Sequence, residues 1–301
     1  MFRGIQQNPA SIEKFHQAVP INSRVNEIYD LHCHSLASDG VLSPYELVKR
    51  ASAQGVTTLA LTDHDTTAGI AEAQWTAETS NIRLISGIEL STTWQGKTFH
   101  VVGLNIDHNH PTLLAAAEFL RKIRQERAEQ IADKLAKKRI PGALEWVLKS
   151  AGEGMVTRTH FASFLVSQFH ADSQQDAFDR YLAKGKPAYV ATEWADMALS
   201  VQWINEAGGV AVLAHPLRYK LTPKWMQRFL TDFKQAGGKG MEVVTGRCSV
   251  DDIKWSATYA HNFGLAGSVG TDFHSPGNPW IELGRLAPLP GHIQPVWELF
   301  G

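Results

Sequence analysis

The chain is poor in cysteine, in long apolar runs and in net charge. Two cysteines among 301 residues cannot form a disulfide framework, so we expect a reducing compartment, the cytoplasm. No apolar run reaches the length of a membrane span, and the first residues lack the hydrophobic stretch of a signal peptide. A net charge of −1 disfavours a wide basic surface for long nucleic acids but is compatible with a local basic pocket. Nothing in the sequence indicates a membrane or an obligate protein partner.

Short apolar strands alternate with helical patterns along most of the chain. Strand–helix units of this kind imply a mostly parallel sheet with right-handed crossovers. About seven such units are typical of a TIM-like barrel, whose active site lies at the carboxyl ends of the strands. We expect strands at residues 27–31, 57–61, 82–89, 98–106, 210–214, 240–244 and 266–270.

One long stretch interrupts this alternation. Residues 111 to about 181 are almost wholly helical in pattern and predict an insertion that caps the barrel. Its charged run at residues 121–127 is interpreted as a solvated helix face carrying i,i+4 pairs. The predicted organisation is an N-terminal extension, a first barrel part, a helical cap and a second barrel part, at residues 1–26, 27–106, 107–192 and 193–301.

Histidines and carboxylates cluster at the predicted ends of the strands. His32 and His34 are two residues apart on a strand, so both project to the same face. Cys33 points to the other face and is interpreted as a core residue. Asp39, in the turn that follows, strengthens the interpretation as a metal site. Imidazole and carboxylate groups together suit Zn, Mn or Fe held for hydrolysis.

Further clusters follow the later strands. His64 is an expected ligand, and we interpret Asp63 and Asp65 as acceptors that orient it; capping of the next helix is the alternative. Glu89 is predicted to end its strand, where a buried carboxylate needs a partner or a metal and could bridge two metals. The remaining candidate ligands are His100, His215, Asp272 and His274.

Other basic and histidine residues are assigned less firmly by pattern alone. His108 and His110 stand among turn formers before a helix, so we interpret them as loop and helix-start residues rather than ligands. Arg158 and His160 begin an apolar segment of the cap, and they fit equally a surface helix start and a pair that holds phosphate oxygens. Weaker candidates for phosphate binding are Lys186 and Arg218.

Taken together, these clusters resemble the PHP (polymerase and histidinol phosphatase) family of metal-dependent phosphoesterases. The resemblance extends over residues 29–286. It is closest to a bacterial branch that contains 3′,5′-nucleoside bisphosphate phosphatases and 5′-to-3′ exoribonucleases. The segments similar to that branch are residues 30–35, 37–40, 62–67, 100–106, 156–162 and 279–285.

The resemblance implies a distorted (βα)7 barrel that holds three divalent metal ions. The implied ligands of the first ion are His32, His34, Glu89 and Asp272. Those of the second are Glu89, His100 and His215, and those of the third are Asp39, His64 and His274. Manganese is the favoured metal in this branch, with zinc, iron and magnesium as alternatives.

The resemblance also implies an activity and a substrate class. Arg158 and His160 match positions that hold the substrate phosphate, which decides between their two interpretations. A metal-bound water held by Glu89, His215 and Asp272 is the implied nucleophile. The implied substrates are nucleoside 3′,5′-bisphosphates and the 5′-phosphorylated end of RNA.

Two other functions were weighed on the same residues. One is a small-molecule phosphatase of the histidinol phosphatase type, and the other is a metal-binding module without activity. The complete set of nine ligand positions argues against the second. One departure from the family pattern is Leu217, where relatives commonly place glycine after the His–Pro pair.

Overall fold

The structure, a computed structural model, describes residues 27–301, and the predicted extension at residues 1–26 lies outside them. Its strands are β1 (Tyr29–Asp30), β2 (Thr58–Leu61), β3 (Arg83–Trp94), β4 (Lys97–Leu104), β5 (Ala195–Asp196), β6 (Val210–Leu213), β7 (Gly240–Thr245) and β8 (Ala266–Gly270). Within the described residues they form one sheet in the order β1–β2–β3–β4–β6–β7–β8, with β5 paired to β3. Every residue of β2 and β6 is buried, as expected for parallel strands covered on both faces.

Strand β4 is the exception to the parallel arrangement. It pairs antiparallel with both β3 and β6, because a tight turn at Gln95 and Gly96 connects β3 directly to β4. Both turn residues have positive φ, which is typical of two-residue hairpins. The mostly parallel barrel is confirmed, but no crossover helix separates these two strands.

The first and last strands meet and bring the barrel close to closure. The amide of Leu31 donates to the carbonyl of Val269, and the amide of Asp272 donates to the carbonyl of His32. The buried carboxylate of Asp30 accepts from the amide and hydroxyl of Thr271, at 2.9 and 2.7 Å. Residues from the two ends of the chain therefore share one site, as the sequence predicted.

Helices cover the sheet and build the cap. The helices are α1 (Pro44–Ala53), α2 (Ile70–Glu78), α3 (Pro111–Lys137), α4 (Ala143–Ala151), α5 (Arg158–Ser167), α6 (Gln174–Ala177), α7 (Met197–Glu206), α8 (Pro223–Gln235) and α9 (Val250–Phe263). A π-helix at Phe178–Leu182 and 3-10 helices at Pro216–Tyr219 and Val296–Leu299 complete the set in the described residues. Helix α1 begins as predicted, with Ser43 as a capping box and Pro44 at its first position.

The cap has a hydrophobic core of its own. Side chains from α3, α4 and α5, among them Ile131, Val147, Phe161 and Leu165, pack in a cluster separate from the barrel clusters. The helical character of the insertion is confirmed, while its bounds at residues 107–192 stay a prediction. Within residues 27–301, no helix is both long and apolar enough to cross a membrane.

Candidate metal centre and phosphate cavity

Four ligand atoms converge at the end of the barrel. The Nε2 atoms of His32 and His34 lie 3.1 Å apart, and each lies 3.3 Å from Glu89 Oε2. Asp272 Oδ1 lies 3.4 Å from the first imidazole and 3.2 Å from the second. Around a tetrahedral metal with bonds of about 2.0–2.1 Å, neighbouring ligand atoms lie about 3.3–3.4 Å apart. The printed spacings therefore match a metal-sized gap.

Two further groups adjoin the first. The ligand atoms of His64, Glu89 and His100 lie within 4.8 Å of one another, and so do those of His34, Asp39, His64 and His274. His215 joins through Glu89, because its Nε2 lies 3.0 Å from the Oε1 atom that His100 Nδ1 approaches at 2.9 Å. All nine predicted ligand residues thus lie in one cluster. The grouping differs from the implied sets in that His64, rather than His215, completes the Glu89–His100 group.

Several buried atoms of this cluster lack a hydrogen-bond partner among the described residues. They are Asp39 Oδ1, His64 Nδ1, Glu89 Oε2 and His215 Nδ1. His64 Nδ1 does lie 2.9 Å from Glu89 Oε2, but the geometry is not that of a hydrogen bond. Buried polar groups are nearly always paired, and an unpaired one costs about 1–3 kcal/mol. Lone pairs that face one another without protons between them fit a bound cation.

The electrostatics of the cluster favour the same interpretation. Burial alone would raise the pKa of Glu89, but the neighbouring imidazoles, His64 foremost, hold it well below its usual range. Burial lowers the pKa of His64 to about 4, which leaves the neutral imidazole that a metal requires. Burial opposes protonation of His34 as well, yet Asp272 and Glu89 raise its pKa to about 10. Excess negative charge therefore surrounds this centre.

Two of the predicted ligands do not lie at strand ends. Glu89 was predicted to end its strand, but β3 continues five residues further, to Trp94, and the carboxylate projects from the middle of the strand. His100 is the fourth residue of β4 and faces Ser91 in the antiparallel register. Because β4 runs in the opposite direction, its beginning lies at the same end of the barrel as the carboxyl ends of its neighbours.

The roles predicted for Asp63 and Asp65 need correction. Neither orients His64, and α2 begins beyond them at Ile70. Asp63 instead accepts from the amide and hydroxyl of Ser35 and from the hydroxyl of Ser38, at 2.6 to 2.7 Å. These bonds fix the loop that carries His34 and Asp39.

Asp65 is part of a different contact. Its carboxylate accepts from the amide of Ser91 and from the guanidinium of Arg124, at 2.6 and 2.7 Å. The aspartate therefore joins the cap helix α3 to the strand that carries Glu89. It supports the site, although not through His64.

A residue missed by the sequence analysis, Glu242, supports two histidines. Its Oε1 lies 2.7 Å from His32 Nδ1, and its Oε2 accepts from the backbone amide of His215. Glu242 is buried in the middle of β7, within the run 240–244 that was assigned only as an apolar strand. A carboxylate in the middle of an apolar strand was the signal that could have identified it.

Above the metal cluster lies a cavity of about 530 Å³ between barrel and cap. Arg158 and Arg218 line it as predicted, and Arg218 forms an ion pair with Asp272. Lys186 and His160 are not among the lining residues. Lys186 is exposed, and His160 Nδ1 accepts from the amide of Thr157 at 3.1 Å, as part of the capping box of α5.

The charged run at residues 121–127 is not simply a solvated face. Arg124 is only 5% exposed, and both Arg124 and Arg127 line the cavity. The buried stripe of α3 is Leu113, Ala116, Leu120, Arg124, Ala128, Ile131 and Leu135. Arg124 occupies a position in the apolar period, and that spacing was the signal that could have predicted its burial.

The two declined histidines lie where their context indicated. His110 is the N-cap of α3, and its Nδ1 accepts from the amide of Thr112 at 3.3 Å. His108 belongs to the preceding loop and contacts Asn109. Neither takes part in a metal-competent group of the described residues.

A nearly closed α/β barrel with a histidine and carboxylate cluster under a basic cavity defines a class of metal-binding barrel enzymes. Residues 30–134 match the family model of the PHP domain. A 5′-3′ exoribonuclease of Haemophilus influenzae is 49% identical over 272 residues, which are 90% of this chain and 98% of that protein. The chain therefore belongs to the PHP family, and the resemblance seen in its sequence is confirmed.

Two further proteins are similar over nearly the full barrel and cap. A 3′,5′-nucleoside bisphosphate phosphatase of Chromobacterium violaceum is 41% identical over 270 residues, 89% of this chain and 95% of that protein. The solved structure of an amidohydrolase from Chromobacterium violaceum, with bound SO4 and no metal, has a TM-score of 0.86 at 40% identity. It covers 91% of this chain and 95% of that chain.

Proposed function

We propose that this protein is a metal-dependent phosphoesterase that hydrolyses nucleoside 3′,5′-bisphosphates, removes 5′ nucleotides from RNA, or does both. The observation that carries the proposal is the tetrahedral set of His32, His34, Glu89 and Asp272 at the floor of a cavity lined by arginines. The activities of the exoribonuclease and the bisphosphate phosphatase described above support both substrate classes.

The nine clustered side chains are the proposed ligands of three divalent ions. The first set is the tetrahedral one, the second is Glu89 with His100 and His215, and the third is Asp39 with His64 and His274. Manganese is the proposed metal, with zinc, iron and magnesium as alternatives. Divalent ions so placed supply an activated water, a clamp on the phosphoryl oxygens and charge stabilisation of the leaving oxygen.

The side chains above the cluster bind and orient the phosphate. Arg158 lines the cavity and has no acidic partner among residues 27–301, so its charge is available to a substrate oxygen. Arg218 already pairs with Asp272 and so positions that carboxylate as well. Glu89, His215 and Asp272 are proposed to hold the attacking water. His160 and Lys186 stay weaker candidates for phosphate binding, because neither lines the cavity.

The test compares three substrates with protein loaded with Mn²⁺. These are a nucleoside 3′,5′-bisphosphate, a 5′-phosphorylated RNA and histidinol phosphate, with released phosphate and released nucleotides both measured. We expect turnover of the first, the second or both, and little turnover of the third. Preferred hydrolysis of histidinol phosphate would favour the small-molecule phosphatase, and absence of any turnover would favour the non-catalytic module.

The variant Glu89→Gln tests the centre itself. Loss of a carboxylate shared by the proposed ions should lower kcat/KM by about 100-fold or more, since removing a single charge-stabilising group costs this much in other enzymes. Asp251→Asn is the matched control, because its side chain is 94% exposed on α9. Full activity of Glu89→Gln with metal still bound would overturn the scheme.

The compartment is inferred from the cysteines. Cys33 and Cys248 are both free thiols, and the first is buried in the barrel. Free cysteines of this kind fit a reducing compartment, so we propose the cytoplasm.

A further inference from the structure

Arg127 is a cation that the described structure leaves uncompensated. It lies on α3 one turn after Arg124, and its Nε atom is buried without a hydrogen-bond partner among residues 27–301. No acidic side chain of those residues forms an ion pair with it, whereas Arg124 pairs with Asp65 at 2.6 Å. A desolvated charge without a partner is costly, so its presence calls for a ligand of opposite sign.

The surroundings of Arg127 add to its positive potential. Arg124 and Arg127 lie over the ring of Trp194, at 5.2 and 5.3 Å, and all three side chains line the cavity. Arg158 approaches from the cap, over the ring of Phe178 at 5.6 Å. Burial, followed by the charges of Arg158 and Arg124, lowers the pKa of Arg127 to about 9. An anion among these groups would relieve that repulsion.

Position separates this group from the metal cluster. The guanidinium of Arg124 contacts Ser91 and Asp65, beside the strand that carries Glu89 and the loop that carries His64. Arg127 lies one turn further along the helix, so it faces a part of the cavity beyond Arg124. A phosphate bound there would not be the one at the metal centre.

We propose that Arg127 binds a second phosphate group of the substrate, the one that is not hydrolysed, and thereby selects substrates with two phosphates. In a nucleoside bisphosphate this is the other phosphate, and in RNA it is the next phosphodiester along the chain. The inference rests on the proposed phosphoesterase function and adds the residue that distinguishes a bisphosphate from a monophosphate. The planar guanidinium, held flat on Trp194, suits paired contacts with phosphate oxygens.

The test is the substrate dependence of Arg127→Gln. Hydrolysis of a nucleoside 3′,5′-bisphosphate should lose about 10- to 100-fold in kcat/KM through a higher KM, which is the usual worth of a hydrogen bond to a charged group. Hydrolysis of p-nitrophenyl phosphate and of the 3′- and 5′-monophosphates should change less than about twofold. Arg127→Lys should recover part of the loss, and Arg121→Gln, on the same helix and 41% exposed, should behave like the wild type.

Other outcomes would overturn the inference. Equal losses on monophosphates and bisphosphates would make Arg127 a general structural residue, and no loss on either would remove it from substrate binding. If the wild type hydrolyses none of these esters, the proposed function fails, and calorimetry with adenosine 3′,5′-bisphosphate then tests the subsite alone. Weaker binding by Arg127→Gln would support it, and equal binding would refute it. Thermal unfolding of each variant checks folding, and we expect Arg127→Gln to be no less stable than the wild type.

Discussion

At the scale of single residues, the metal centre depends on carboxylates that hold its histidines in place. Glu242 contacts the side chain of His32 and the backbone of His215, two residues that lie more than 180 positions apart in the sequence. An acceptor on Nδ1 fixes the ring so that Nε2 faces the tetrahedral set, and it raises the basicity of that nitrogen. Glu242 therefore positions ligands without belonging to the set itself.

Replacing Glu242 by glutamine should weaken metal binding more than folding. The amide keeps the size of the side chain but removes its charge, and loss of such a supporting group typically costs about 10- to 100-fold in metal affinity. Metal content after dialysis and activity against Mn²⁺ concentration are the measurements, and excess metal should restore most of the activity. Glu129→Gln, exposed on α3, is the control. Unchanged metal affinity in the Glu242 variant would contradict this role.

At the scale of elements, one ion pair joins cap and barrel. Arg124 reaches from α3 to the carboxylate of Asp65, to the hydroxyl of Ser91 and to the carbonyl of Val156. Asp65 adopts a left-handed backbone with φ of 54°, so a turn residue is required at this position. The pair thereby fixes the cap over the metal cluster at the height of Glu89.

The substitution Asp65→Asn should destabilise the protein. Asparagine tolerates the left-handed backbone, so the effect reports the charge, and stranding a buried arginine costs about 3–5 kcal/mol. Chemical denaturation gives the free energy of unfolding. In the double variant with Arg124→Met no cation is stranded, and the loss should be smaller. A loss below about 1 kcal/mol in the single variant would show that Arg124 finds water or another partner.

At the scale of the whole molecule, the ligand set comes from segments that span nearly the entire barrel. The loop after β1 supplies His32 and His34, β3 supplies Glu89, and the segment after β8 supplies Asp272. These segments meet where the first and last strands pair, so a cation bound there would cross-link the two ends of the chain. Mutual repulsion of the buried carboxylates is the cost without it.

Removal of metal should therefore lower thermal stability as well as activity. A ligand present at 100 times its Kd stabilises the folded state by about 2.7 kcal/mol, which corresponds to about 5 °C or more for a chain of this size. Tm should fall in chelator and recover when Mn²⁺ is added back. The same treatment should shift Glu89→Gln much less. An equal Tm before and after complete loss of measured metal would contradict the cross-linking role.

Much of the candidate site could be predicted from local sequence. The same-face spacing of His32 and His34 removed Cys33 from consideration, and the turn formers around His108 and His110 excluded those two histidines. These inferences succeeded because alternation along a strand and turn chemistry act over a few residues. The strand end assigned to Glu89 was wrong, since the polar residues of β3 beyond it remain in the sheet through pairing with β4 and β5.

The residues that failed share a physical reason. Arg124, Arg127 and Glu242 are charged, and a charge in a helical or strand pattern is most often solvated. Their burial depends on partners distant in sequence, namely Asp65, a cavity wall at Trp194, and His32. No local pattern specifies such partners.

The sequence by itself determined the barrel type, the helical cap and the nine side chains gathered at one end, because these follow from local periodicity and from motifs with fixed spacing. Only the tertiary structure decided which carboxylates support the histidines, which arginines face the cavity and how β4 turns His100 toward the others. Those features arise from long-range contacts, in which desolvation and pairing outweigh local preference.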